Sequence, residues 1–251
     1  MRQSGEKSRL DWILALDTGT PTASVAVCSR AAGRVFRRDE PARTHGPTVL
    51  VLVEAVLAEA GLAPTDLAAV ACGRGPGSFT GLRIGLATAK GLCYALGVPL
   101  VTPSSLEGLA RAVPRSGPAA VVACLDARRQ EIFAAAWHFP DEGEPRLLFP
   151  PMAGGPAAVA EAVRTLDVDS PAILVGTGAT LYTDELTALL GDEARIPSGA
   201  PQTPDAAILA DLAAEALVRG DTADLRSAEP EYLRPSDAEL NRDRPTRPTK
   251  D

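Results

Sequence analysis

The first apolar run, Trp12-Ile13-Leu14-Ala15-Leu16, stops at Asp17 and is followed by the turn-forming Thr18-Gly19-Thr20-Pro21-Thr22. A short apolar run closed by a turn predicts a buried strand, and the run 23–28 predicts a second strand returning beside it. A turn at 30–33 and a weaker strand over 34–38 extend this into a meander. Residues 47–60 then carry Val49, Leu50, Val51, Leu52, Val53, Val56 and Leu57, with Glu54 and Glu59 as the charged positions. That length predicts a helix, with Gly61 as its stop. A helix apolar almost all round is buried on more than one side, inside the subunit or against another one.

Residues 68–73 predict another buried strand, and Gly73-Arg74-Gly75-Pro76-Gly77-Ser78-Phe79-Thr80-Gly81 leads into a helix reaching Leu96 and closed by Gly97. Gly81, Gly85, Ala89, Cys93 and Gly97 recur every fourth residue, which makes a ridge of small side chains. A helix-interior glycine costs about 1 kcal/mol relative to alanine, so close packing must offset it, within the subunit or against a partner. A strand at 98–102 precedes Ser104-Ser105-Leu106-Glu107, which fits a capping box. Paired strands follow at 119–126 and 131–139, then a helix at 155–166, a strand at 172–176 and a helix at 180–190. A last helix starts at Thr203-Pro204, carries the apolar stripe Leu209, Leu212, Ala213, Ala216 and Leu217, and ends at Gly220. The order predicts an α/β fold with mixed sheets, matching RNase H-like and actin-like cores at the level of topology.

Composition narrows the functional classes. Net charge is −7 with a pI near 5.0, which argues against a stand-alone binder of RNA phosphates. Cys28, Cys72, Cys93 and Cys124 sit in apolar company and form no C-x-x-C pair, which predicts buried thiols in a reducing compartment. The first apolar run is too short for a signal peptide and no stretch is long enough to span a bilayer, so a cytoplasmic protein without a membrane partner is expected. Residues 1–11 read as a polar extension and 235–251 as a disordered tail.

The glycine loop could place amides around an anion at a helix start. It has no lysine after a glycine, as a P-loop needs, and Ser78 stands where a dinucleotide loop needs its last glycine. Asp17, Thr18, Gly75, Gly77 and Ser78 are therefore candidate nucleotide or anion contacts, set against an Asx turn and a tight strand-to-helix connection. His45 and His138 lie far apart, and Asp126 and Glu131 flank a polar hairpin.

Five segments in this order resemble the TsaB family: Ile13 through Thr18, Gly73 through Gly85, Leu125-Asp126-Ala127-Arg128 with Glu131, Val175-Gly176-Thr177-Gly178, and Ala228 through Arg234. The resemblance spans 12–234. It implies an actin-like (RNase H-like, ASKHA) fold of two related subdomains, 12–112 and 113–234. It also implies a non-catalytic scaffold subunit in making tRNA threonylcarbamoyladenosine, paired with its catalytic paralogue TsaD through helices 47–60 and 81–96. The resemblance further implies that TsaE joins in the assembled complex, that the chain pairs with itself when alone, and that tRNA is reached indirectly.

The residues expected to face the partner are Val49, Val53, Leu57, Gly81, Gly85 and Ala89. The metal-holding histidine positions of TsaD fall on Ser105 and Leu109, which cannot replace imidazole ligands, so no metal and no catalytic residue are expected. No tightly bound cofactor is expected, and ATP or ADP at most weakly. Two other readings stay open: an actin-like ATPase or kinase using Asp17, and a metal-dependent glycopeptidase-like protein.

Overall fold

Strand β1 (Trp12–Asp17) opens the fold, followed by β2 (Thr22–Ser29), β3 (Arg34–Pro41), α1 (His45–Ala60), β4 (Leu67–Cys72), α2 (Phe79–Leu96), β5 (Leu100–Val101) and α3 (Ser105–Arg111). The second half adds β6 (Ala119–Arg128), β7 (Glu131–Phe139), β8 (Arg146–Gly154), α4 (Pro156–Arg164), β9 (Ala172–Val175), α5 (Thr177–Leu181), α6 (Thr183–Leu190), β10 (Ala194–Arg195) and α7 (Ala206–Arg219). This computed structural model describes residues 12–41, 45–168 and 170–234, so the extension at 1–11 and the tail at 235–251 lie outside the described residues.

The strands form two sheets, ordered β3-β2-β1-β4-β5 and β8-β7-β6-β9-β10. Each is an antiparallel meander of three strands followed by two parallel ones. One topology is thus used twice, which is the two-subdomain actin-like α/β architecture. The repeat lies in strand order, which is why no short period marks it in the sequence.

Both faces of the first sheet are covered. Trp12, Leu14 and Leu16 meet Val49, Val53, Val56 and Leu57 of α1 and Leu86, Ala89 and Cys93 of α2. Ile13 and Ala15 point the other way, into Leu209, Ala210 and Ala213 of α7. Two-sided burial is why β1 reads as a continuous apolar run rather than an alternation. On the second sheet, Leu106, Leu109 and Val113 cover one face with Val121, Phe133 and Trp137. Val159, Val163 and Leu186 cover the other with Val122, Ile132 and Leu174.

These contacts cross the boundary expected at 112/113. Helix α3, from the first half, packs on the second sheet, and α7, from the second half, returns to the first. The two helices also touch each other, so the subdomains are interlocked by an exchange of helices.

Several local features differ from expectation. Strands β8 and β10 were not anticipated: each is an edge strand, and Pro150-Pro151 in β8 is a pair that only an edge tolerates. The N-cap of α7 is Asp205, whose carboxylate accepts from the Ala207 amide at 2.8 Å, rather than Thr203. Ser104 caps α3, but the Glu107 carboxylate turns to Arg111 at 2.9 Å instead of closing the box. Gly97 and Gly220 end α2 and α7 in left-handed conformations, as expected. All four cysteines are free and buried.

Candidate functional site

Asp17 ends β1 with a side chain 1% exposed. Its Oδ1 accepts from the Gly19 amide at 2.8 Å, an Asx turn, which was the alternative to a nucleotide contact. Its Oδ2 accepts from the Ser105 hydroxyl at 2.6 Å, and the Ser105 oxygen accepts in turn from the Gly75 amide at 3.1 Å. One hydroxyl thus joins the first turn, the glycine loop and the start of α3. A Cβ at Gly73 would overlap the Asp17 carboxylate and lie 2.7 Å from Ser105 Oγ. The loop is glycine at that point because the acid fills the space a side chain would need.

The rest of the loop turns inward as well. Thr18 Oγ1 donates to the Gly81 carbonyl at 2.8 Å, above Gly85. The Ser78 amide donates to the Gly19 carbonyl at 2.7 Å, and the Ser78 hydroxyl caps α2 by accepting from the Gly81 amide. Gly77 presses on the Gly19 backbone, and Gly75 has a φ of +105° beneath Leu82. The structure therefore brings Asp17 and Thr18 of the first turn together with Gly75, Gly77 and Ser78 of the loop. Yet the amides of Gly73, Arg74, Gly75 and Ser78 donate to Leu16, Pro103, Ser105 and Gly19, so they are spent inside the fold. Beside them, burial and then the Asp17 charge push the Cys72 thiol well above its ordinary value.

In the sequence Ser105 stood inside the capping-box segment and at the place of a missing ligand, with no sign of a link to Asp17. Its bond to Asp17 joins residues with no local signal between them. Leu109, the other such position, is fully buried, and a Cβ at Gly176 would lie 2.8 Å from its methyl group. Among the described residues, no group of three or more His, Cys, Asp or Glu side chains is placed to hold a metal ion.

The partner-facing assignment needs correction. Val49, Val53, Leu57, Gly81, Gly85 and Ala89 are all buried within their own subunit. The small ridge of α2 faces β1 and β4, where Gly85 lies against Thr18, Leu16 and Cys72. The reason is packing: the side of a helix that meets its own sheet needs the most apolar and closest-fitting residues, so that side dominates the pattern.

The opposite sides of α1 and α2 carry what is left exposed. Leu50 is 49% exposed, Val51 62% and Tyr94 86%. On α2, Arg83, Ala87, Gly91 and Tyr94 fall on one outward strip at helical spacing, all exposed. A Cβ at Gly91 would meet nothing within 4 Å, so nothing inside the subunit accounts for a glycine there. Beside the strip, Lys90, Gly91 and Tyr94 with residues 222–226 line an open cavity of ≈ 800 Å³.

Comparison with known proteins adds a family to this geometry. The family model described as TsaD, tRNA N6-adenosine threonylcarbamoyltransferase, matches residues 39–142. The Escherichia coli protein named tRNA threonylcarbamoyladenosine biosynthesis protein TsaB is 32% identical over 88% of this chain and 94% of its own length. The Bacillus subtilis protein of the same name is 28% identical over 90% of this chain and 96% of its own. Among solved structures, YeaZ from Pseudomonas aeruginosa superposes with a TM-score of 0.74 at 33% identity, covering 89% of this chain and 100% of that one.

Proposed function

This chain belongs to the TsaB family, whose named members are tRNA threonylcarbamoyladenosine biosynthesis proteins, and we propose that in that pathway it is a non-catalytic subunit that docks TsaD. The observation that carries the reading is the outward strip of α1 and α2, with Leu50, Val51 and Tyr94 exposed and Gly91 bare. Large side chains left exposed on two neighbouring helices point to an interaction surface. A glycine with open space above it lets a partner helix approach the backbone closely.

The TsaD family model matches 39–142, a stretch that contains both helices. A partner built on the same plan would bring a like pair of helices, and two like pairs can meet about an approximate two-fold axis. The same surface would let two copies of this chain pair when TsaD is absent. In the assembled complex TsaE joins the pair, and tRNA is engaged through TsaD, in keeping with a net charge of −7 here. Among the described residues no helix is long and apolar enough to cross a membrane. The setting proposed is the cytoplasm, where tRNA is modified.

A scaffold role also suits the inward-turned loop. Both Asp17 oxygens accept hydrogen bonds from the fold, and Ser105 and Leu109 fill the positions where the paralogue is expected to hold metal. Nucleotide binding by this chain alone is proposed to be weak at most.

The test is binding of purified TsaD by Gly91→Leu and Tyr94→Ala, with thermal unfolding as the control. Expected are affinities at least about tenfold lower, which is ~1.4 kcal/mol, with melting temperatures near the parent. Undiminished binding by both variants would overturn the reading. Reconstituted modification should need this chain as well as TsaD. Tight Mg-ATP binding with turnover lost in Asp17→Asn would establish the ATPase reading instead.

A further inference from the structure

The chain after α7 does not stay with one subdomain. Ala223 bridges to Leu100 at the edge of the first sheet, its amide donating to the Leu100 carbonyl at 2.8 Å, and Leu225 and Ala228 pack against the first core. The chain then crosses the glycine loop. The Glu231 amide donates to the Arg74 carbonyl at 2.8 Å, and the Glu231 carboxylate accepts from Arg74 Nε at 3.2 Å. The Glu231 carbonyl lies over Gly75, where a Cβ would be 3.3 Å away. Tyr232 packs on Phe79 with ring centroids 4.9 Å apart and planes tilted by 34°, and its hydroxyl accepts from Arg83 Nε at 2.9 Å. The Arg83 guanidinium lies 3.8 Å from the Phe79 ring centre. Two residues later Arg234 Nη1 donates to Glu131 Oε2 at 2.6 Å, and Leu233 packs against the second core.

We propose that residues 229–234 are a clasp, a short strap that ties the β6–β7 hairpin of the second subdomain to the glycine loop and first turns of α2. From Glu231 to Arg234 the backbone can span at most about 10 Å, so the two anchors are tied to each other through a short length of chain. Loosening one anchor therefore frees the other. The hairpin turn is held partly from within, the Arg128 amide donating to Asp126 Oδ1 at 2.8 Å, and its backbone is costly. Arg128, Arg129 and Gln130 have φ values of 63°, 56° and 62°, a run of left-handed residues without a glycine. Such a run persists only where its surroundings fix it, and Glu131, the next residue, is the clasp's anchor. The individual contacts are modest, so the coupling through a short backbone is what gives the strap its effect. This inference is independent of the partner proposed above.

Hydrogen–deuterium exchange on the full chain tests it by perturbing one anchor and reading the other. Arg234→Ala should speed exchange in the glycine loop, 73–83, by about two- to fivefold, although the change lies at the Glu131 end. Tyr232→Ala should speed exchange in the hairpin, 126–134, to a similar extent. The exchanged pair Glu131→Arg with Arg234→Glu should return the loop towards its parent rate. Arg38→Ala, which removes the Arg38–Glu59 pair elsewhere, should alter neither segment. Changes confined to the mutated end, or none, would overturn the clasp. Circular dichroism checks that each variant is folded, and should Arg234→Ala not be, Glu131→Gln is read by the same criterion.

Discussion

Replacing Ser105 with alanine removes one oxygen that serves three parts of the fold. The hydroxyl donates to Asp17 Oδ2 at 2.6 Å and accepts from the Gly75 amide at 3.1 Å, both bonds being buried. A hydrogen bond to a charged group contributes about 1.5–3 kcal/mol, and a buried amide left without an acceptor costs about 1–3 kcal/mol. The two losses share one site and relax together, so the expected destabilisation is about 3 kcal/mol rather than their full sum. For a chain of this size that is a fall of roughly 6–12 °C in melting temperature. The assay is urea unfolding at neutral pH followed by circular dichroism, with Asp17→Asn and the double variant completing a cycle. The cycle should give a coupling of about 1–2 kcal/mol between the two side chains. A Ser105→Ala variant within about 0.5 kcal/mol of the parent would refute the claim that this hydroxyl holds the acid and the loop together.

Gly85→Ala addresses the inward ridge. Its methyl would run into Thr18 Oγ1 and sit 3.2 Å from Leu16 Cδ1, so we expect about 1–3 kcal/mol of lost stability, seen as a lower melting temperature. Selective loss of TsaD binding at parent stability would contradict that placement. The thiols give a pH prediction. Burial first, then nearby Asp211 and Asp205, push the Cys28 thiol to about 12, and burial alone pushes Cys124 to about 12. Burial raises Cys93 to about 11 against a lowering backbone hydrogen bond. Folded thiols that keep their protons while unfolded ones, near 8.5, release them make stability fall as pH rises from about 9 towards 11–12. Below that window they add no pH dependence. In the native protein at pH 8 a thiol reagent should react slowly with all four cysteines and rapidly once denaturant is added; prompt native labelling of any of them would show that its burial is wrong.

Much of the fold was readable from the chain. The apolar run 12–16, the all-round helix 47–60, the glycine stops at Gly97 and Gly220 and the hairpin ending at Phe139 each declare themselves through residues within a few positions of one another. Local sterics and burial act on neighbours, so a local pattern records them. Membership in a family was legible for the same reason, because its markers are contiguous segments such as Gly73 through Gly81. Other features came from distant parts of the chain meeting. The exchange of α3 and α7 between sheets, the partners of edge strands β8 and β10, and the bond between Asp17 and Ser105, 88 residues apart, depend on which surfaces end up facing one another. The outward side of α1 and α2 belongs with these. Hydrophobic periodicity says that a helix has a face to bury, but the sheet lying beneath it decides which face that is, and so leaves Leu50, Val51, Gly91 and Tyr94 at the surface.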